Sequence, residues 1–407
     1  MDGIVSVFTS LPSENTKKDD DFVDRLNSKY SVIILVVFAI IVGMHQYVGN
    51  PINCWMPQHF TGSHSGYTNA YCWVRNTYYL PYEEHIPKPH EHHKRQMVTY
   101  YQWMPFILLG QALLFYFPSV VWHSFNQRAG VDADNILASA QTFSQTEQVD
   151  HRASTLTVIR NQIHRFLYTR QDDGGSFKFD VIRKKGLVGR RFGTYLIILY
   201  IFTKVLYFLN VVAQLFMLNS ILSIEFGLYG YEVFKWMLQD YDWTTSPQVA
   251  FPRVTMCDFT VRRLGNLHPY TVQCTLPINL YNEKIYMFLW FWMVFVAICT
   301  AFSLITWFVR AVAVRDRVIY IKNHLKMMER LESPSDEKKA EEFTKEYLRP
   351  DGIFLLRLIG HNTNTLTVTE IICSLWESWH PKEPKNGIET PMKPIKPTTD
   401  KAGLLNE

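Results

Sequence analysis

Four long apolar runs separated by strongly polar stretches set the pattern of this chain. They are Ser31–Val48, Tyr100–Trp122, Gly193–Leu218 and Tyr286–Val309. A helix needs about 20 apolar residues to cross roughly 30 Å of hydrocarbon, and each run meets that length. The first lies inside a charge-free stretch from Tyr30 to Val74, the third is broken by Lys204, and the fourth carries no charge. One such run fits a buried helix of a soluble protein; four of them predict a membrane bundle. In lipid the backbone must satisfy its own hydrogen bonds, so the spans are expected to be helices. Pro105 and Pro118 fall in the second run and predict a kink or local unwinding there.

The segments between and around the spans have their own periodicities. Ile4, Val7, Phe8 and Leu11 recur at helical spacing before Pro12 and predict a short amphipathic helix. Such a helix either lies on the membrane surface or folds into a vestibule formed by several subunits. Leu156, Ile159, Ile163 and Phe166 predict a helix between spans two and three, with a turn at Gly174-Gly175. After span four, Ile319, Ile321, Leu325 and Met328 alternate with charge in a helical pattern. From Pro381 onward, Pro384, Pro391, Pro394 and Pro397 interleave with lysines, a composition that reads as disordered. The expected divisions are an N-terminal segment 1–30, spans 31–48, 100–122, 193–218 and 286–309, and loops 49–99, 123–192 and 219–285. A helical C-terminal region 310–380 and a tail 381–407 complete them.

Composition sharpens this picture only where it is uneven. The mean hydropathy of −0.07 averages charge-free spans against charged loops and hides both. The net charge of +4 argues for no nucleic-acid partner. Its distribution is informative: 123–192 holds eleven Lys or Arg, whereas 49–99 holds four and 219–285 holds five. Arg310, Arg315, Arg317, Lys322, Lys326 and Arg330 follow span four directly. The basic side is expected to be cytoplasmic, which puts both termini inside and the loops 49–99 and 219–285 outside. No cleavable signal peptide is expected, and Asp2 rules out the myristoylation motif.

The six cysteines agree with this topology. Cys54 and Cys72 lie in one expected extracellular loop, Cys257 and Cys274 in the other, at separations of 18 and 17 residues. Disulfides persist in oxidising compartments, so charge and cysteine placement point the same way. Four cysteines allow three pairings, and the sequence by itself leaves them open. Cys299, in span four, reads as a packing residue, and Cys373 as a reduced thiol.

No catalytic constellation stands out, and neither an enzyme nor a cofactor is expected. The histidines His85, His90, His92 and His93 lie in a Pro-rich, charged segment and read as a solvated connector in preference to a metal site. His45 reads as a packed or interfacial histidine. Lys204 lies eleven residues beyond Gly193, about 16 Å along a helix, which predicts a depth near the bilayer middle. A bare ammonium there costs at least a few kcal/mol, so it must face protein, water or a carboxylate. Span three offers no other charge to build a polar stripe, which favours bracing of the bundle over lining of a pore.

Several stretches resemble the innexins, the gap-junction proteins of invertebrates. The family's YYQW signature appears as Tyr100-Tyr101-Gln102-Trp103, followed by Met104, where most members have Val, and Pro105. DDFVDRLN (Asp20–Asn27), NPINCW (Asn50–Trp55) and LNVVAQLFMLN (Leu209–Asn219) also look like innexin sequence, and the likeness covers roughly residues 1–375. The resemblance implies an all-α membrane protein, a four-transmembrane-helix bundle subunit. Its extracellular loops would be disulfide-linked with small β content, and its cytoplasmic domain helical. It implies bridges Cys54–Cys274 and Cys72–Cys257, and an N-terminal funnel with Met1, Asp2, Ile4 and Val5 lining the pore. It further implies rings of typically eight homomeric or heteromeric subunits in plasma-membrane lipid, docked onto a hemichannel of the apposed cell and passing ions and small molecules. The absence of a glycosylation sequon from both outer loops favours docking over an undocked, pannexin-like channel. A non-conducting four-span adhesion or scaffold protein is the alternative from another class.

Overall fold

The computed structural model describes residues 20–58, 60–81, 96–126, 133–146, 148–172, 193–222, 231, 234–235, 251–331 and 333–379. Four helices are long and apolar enough to cross a membrane. They are α1 (Phe22–Tyr47), α3 (Met104–Asn126), α6 (Tyr195–Leu222) and α7 (Pro277–Val312). The smaller elements are β1 (Asn53–Cys54), α2 (Gly62–Arg75), β2 (Thr77–Tyr79), β3 (Gln96–Val98), α4 (Ala133–Gln145) and α5 (Val149–Asp172). After α6 come β4 (Val254–Arg263) and β5 (Asn266–Thr275). After α7 come α8 (Val314–Met327), α9 (Pro334–Glu342), α10 (Arg349–Asn362) and α11 (Thr365–Trp379).

The first spanning helix starts nine residues before the apolar run that announced it. Asp21 caps it: its carboxylate accepts from the Phe22 N–H at 2.7 Å, while the Asp21 N–H donates to Asp24 Oδ2 at 3.3 Å. This reciprocal box satisfies donors that a helix start leaves orphaned. The turn then widens to π-helix over Leu26–Ser31. Polar side chains take the loosened carbonyls there: Asn27 Nδ2 donates to Val23 O, Ser28 Oγ to Asp24 O, and Ser31 Oγ to Leu26 O. The charged stretch 22–29 is therefore helical and leads straight into the span.

Helix α3 follows a 3-10 turn at Tyr100–Gln102 and runs as one helix through Pro118, so of the expected kink or local unwinding, the unwinding is not seen. Pro105 sits in the first turn, where no backbone N–H is needed. Helix α7 begins with Pro277 at its first position for the same reason, and extends at both ends beyond the charge-free run 286–309.

At one end of the bundle a single antiparallel sheet collects strands from both cysteine-bearing segments in the order β1-β5-β4-β2-β3. Cys54 pairs with Cys274, and Tyr78 with Met256. The β4–β5 hairpin is paired from Val254–Thr275 to Arg263–Asn266. Leu264 and Gly265 close it with φ of 51° and 84°. Both central residues at positive φ fit the right-handed twist of a two-residue hairpin turn. At the other end, α4 and α5 join α8 to α11 around a separate apolar core. Ile159, Ile163 and Phe166 pack there with Phe343, Ile372 and Trp376.

Leu264 holds its left-handed conformation with 96% of its surface exposed, so no packing offsets the strain. Leu264→Asn should stabilise the hairpin by about 1 kcal/mol. A thermal unfolding scan of the detergent-solubilised protein measures this as a raised midpoint; a lowered midpoint would contradict the turn.

Candidate functional site

Two constellations organise the molecule, one at each end of the spanning bundle. At the sheet end, Cys54–Cys274 and Cys72–Cys257 are bridged. The first bond ties edge strand β1 to β5, and the second ties α2 to β4. Sequence separations of 220 and 185 residues make both bonds tie the segment before α3 to the segment before α7. Each typically contributes about 2–4 kcal/mol, by a mechanism that is model-dependent. Cys72, Cys257 and Cys274 are fully buried in an apolar cluster with Tyr101, Phe259 and Val272.

The Tyr100-Tyr101-Gln102-Trp103 motif sits against this assembly. Tyr101 is completely buried, packs at a tilt against Trp73 with ring centroids 4.8 Å apart, and its hydroxyl donates to Trp73 O at 3.4 Å. Gln102 Nε2 also donates to Trp73 O. Gln46 of α1 donates to Tyr101 O. The motif therefore clamps the last turn of α2, one residue beyond Cys72, to the entrance of α3. Tyr100 meets Phe251 edge-on at 5.7 Å, and Trp103 points outward beside Phe106. Pro105 is buried. His45 packs at a tilt against Tyr281, with ring centroids 4.5 Å apart.

At the other end, Lys204 has no exposed surface. Its Nζ lies 2.8 Å from Asp24 Oδ1 and 3.4 Å from Asp21 Oδ2, and donates to Ser303 Oγ at 2.9 Å. Tyr200 donates to Asp24 Oδ2 at 2.7 Å, and Trp307 Nε1 to Asp21 Oδ2 at 3.2 Å. Both carboxylates lie at the start of α1, Asp21 as its cap and Asp24 in its first turn, so the Lys204 ammonium reaches the first turn of that helix. Burial pushes the Asp21 carboxyl up; the Lys204 ammonium and the Trp307 bond more than reverse this and leave it below its ordinary value. A depressed carboxyl contributes stability above its unfolded value near pH 4 and loses it as the pH falls further.

The same end carries a second link. Asp351, at the start of α10, accepts from the backbone N–H groups of Leu196 and Ile197 at 3.1 and 3.2 Å. It thereby caps the first turn of α6, and its own N–H donates to Gly193 O at 2.9 Å. Arg310 Nη1 and His361 Nε2 lie 3.1 Å apart, and His361 lies against Trp307, so α7 and α10 also meet. Cys299 is half-buried against the spanning core, and burial pushes the Cys373 thiol up to about 11.

Of the residues singled out in the sequence, the structure joins the four paired cysteines and the YYQW motif at one end and sets Lys204 at the other. Met1, Asp2, Ile4 and Val5, the histidines His85, His90, His92 and His93, Gly174-Gly175 and the tail from Pro381 lie outside the described residues. Asp21, Asp24, Tyr200, Trp307 and Asp351 were not singled out. A signal for the first two was present: Asp21 and Asp24, three apart before an apolar run, have capping-box spacing. Among the described residues, Cys54, Cys72 and Cys274 form the one cluster with metal-ligand proximity, and their sulfurs are engaged in disulfides.

Comparison with known proteins agrees with this layout. The Innexin family model matches residues 20–379. Innexin unc-9 of Caenorhabditis elegans is 36% identical over 361 residues, covering 89% of this chain and 92% of that protein. Innexin-19 of Caenorhabditis briggsae is 34% identical over 395 residues, covering 90% and 87%. Innexin-12 of Caenorhabditis elegans is 33% identical, with 92% of each chain covered.

Lys204→Met would leave two carboxylates without their cation. The expected loss is about 3–5 kcal/mol, read as a large drop in the thermal midpoint of the solubilised protein; an unchanged midpoint would show the pair to be idle. Asp351→Ala should cost about 1–2 kcal/mol as a lost cap. Hydrogen exchange should quicken at the Leu196 and Ile197 amides while the β4–β5 amides stay protected.

Proposed function

The chain belongs to the innexin family of gap-junction channel subunits, a multi-pass membrane protein of cell junctions, and on that premise we propose how its parts divide the work of an intercellular channel. The sheet end faces the gap between cells, and both termini and the helical domain face the cytoplasm. The excess of Lys and Arg in 123–192 and after α7, set against the disulfides at the opposite end, supports this orientation. Subunits of this chain, alone or with related chains, form a ring, in keeping with the family typically an octamer. Two rings dock through their sheet ends to enclose a continuous pore.

The observation that carries the docking role is the covalent union of the two outer segments into one five-stranded sheet. A docking face must hold its shape before its partner arrives, because freedom lost on association weakens binding. The cross-links remove that freedom in advance, and the YYQW clamp seats the sheet on α3. Exposed apolar side chains on the spans, among them Phe106, Leu113, Phe295 and Phe302, meet lipid or neighbouring subunits.

Met1, Asp2, Ile4 and Val5 line the cytoplasmic mouth of the pore. The support is positional: the chain leaving residue 20 toward its N-terminus departs from the point where Lys204 holds Asp21 and Asp24. Lys204 then acts as a brace for the base of that arm and does not touch permeating ions. Its complete enclosure within one chain supports this role.

Paired cells that each express only this chain should show junctional conductance, and Cys54→Ser should abolish it while some protein still reaches the surface. Dye uptake by single cells without conductance between pairs would contradict docking and point to a channel that opens to the medium.

A further inference from the structure

The two disulfides abut. The sulfurs of Cys54, Cys72 and Cys274 all lie within 4.8 Å of one another, although Cys72 is bonded to Cys257 and not to either of the others. Their access to solvent is unequal. Cys72 and Cys274 have no exposed surface and Cys257 has 1%, whereas Cys54 is half-buried. Cys54 also stands on the weakest element of the sheet, the two-residue edge strand β1. Besides the Cys54–Cys274 bond, the strand is held by its antiparallel pairing with β5 and by further hydrogen bonds around it. Trp55 N donates to Gln273 O at 2.8 Å, Cys54 N to Asn69 Oδ1 at 3.0 Å, and Thr275 Oγ1 to Asn53 O at 3.1 Å.

We propose that Cys54 is a site of covalent S-thiolation by a small thiol, and that Cys274 and Cys72 relay the exchange inward to Cys257. Disulfide exchange proceeds by attack of a thiolate on a disulfide sulfur, and access decides which sulfur is attacked. A thiolate of the glutathione class attacks Cys54 Sγ. A bond forms between its sulfur and Cys54, the Cys54–Cys274 bond breaks, and the electron pair leaves on Cys274 Sγ. That thiolate is buried beside Cys72. It attacks Cys72 Sγ, forming a Cys72–Cys274 bond and breaking Cys72–Cys257. The pair leaves on Cys257 Sγ, which takes up the proton that the small thiol gave up. One thiol and two protein disulfides thus become one mixed disulfide, one protein disulfide and one protein thiol, with no net oxidation.

The environment favours each end point. Cys257 lies among apolar neighbours, which suit a neutral thiol better than a thiolate. The product bond Cys72–Cys274 still ties the segment before α3 to the segment before α7, so the sheet remains cross-linked. What changes is β1: Cys54 loses its covalent tie to β5, and the edge strand that follows α1 is left on its hydrogen bonds. The relay therefore loosens the outer end of one spanning helix without dissolving the sheet.

The test uses the full wild-type chain in detergent micelles, exposed to graded reduced glutathione, then acid-quenched, denatured, alkylated and mapped by mass spectrometry. The expected product carries glutathione on Cys54, a Cys72–Cys274 linked peptide and an alkyl group on Cys257, all rising together. Glutathione on Cys54 with alkylated Cys274 and an intact Cys72–Cys257 bond would overturn the relay. First attack at Cys72 or Cys257, or no adduct on Cys54 before the protein unfolds, would overturn the site.

Discussion

A lysine ammonium with no access to water must be given a counter-charge, and the end of the bundle opposite the disulfide sheet is arranged around that requirement. Lys204 obtains it from Asp24 and Asp21, which lie at the start of a different spanning helix. Because the partners are distant in sequence, satisfying one charge fixes the relative height of α1 and α6. Ser303 and Trp307 complete the shell and bring in α7. A desolvated ion pair of this kind contributes little net stability against an apolar alternative, but removing one member is costly. Its effect is to specify register: at this height of α1 against α6 the ammonium reaches both carboxylates.

That register is transmitted in both directions. Below it, Asp351 caps α6 from the tail helix α10, and Trp307 touches His361 and Phe354, so the helical domain is seated on the same three spans. Above it, α1 delivers Gln46 to the backbone of Tyr101, and the YYQW turn grips α2 beside Cys72. The disulfide sheet then joins the ends of α1, α3 and α7 into one rigid cap. The docking role proposed for this cap requires that rigidity, and here covalent and packing constraints both supply it.

Much of this was legible in the sequence, and the limits are instructive. The four spans, the placement of basic residues and the distribution of cysteines between two segments are carried by long stretches of composition, which local reading captures well. The bounds of α1 were not, because Asp24, Arg25 and Lys29 read as the polar flank of a span although cap and π-turn bonds fold them into the helix. Helix α2 has few apolar residues and takes its form from a Thr61–His64 capping box and from Cys72 packing, neither of which periodicity reveals. Lys204 announced that it needed a partner, yet span three could not say where the carboxylate lay. A helix start counted from composition says nothing about the height of neighbouring helices, so the carboxylates at the start of α1 could not be anticipated as its partners. Asp351 was invisible for the same reason, since its role exists only once α10 folds back onto α6.

The account turns on Lys204 and Asp24 acting as one unit, and a double-mutant cycle measures that most directly. Thermal unfolding free energies of the wild type, Lys204→Met, Asp24→Asn and the double variant would be compared in one detergent. If the ion pair sets the register, the double variant should be clearly more stable than Lys204→Met alone, because the orphaned carboxylate is then neutralised, with a coupling of about 1–3 kcal/mol. Losses that simply add would show that the two residues act independently and that the bundle is held at this height by packing alone.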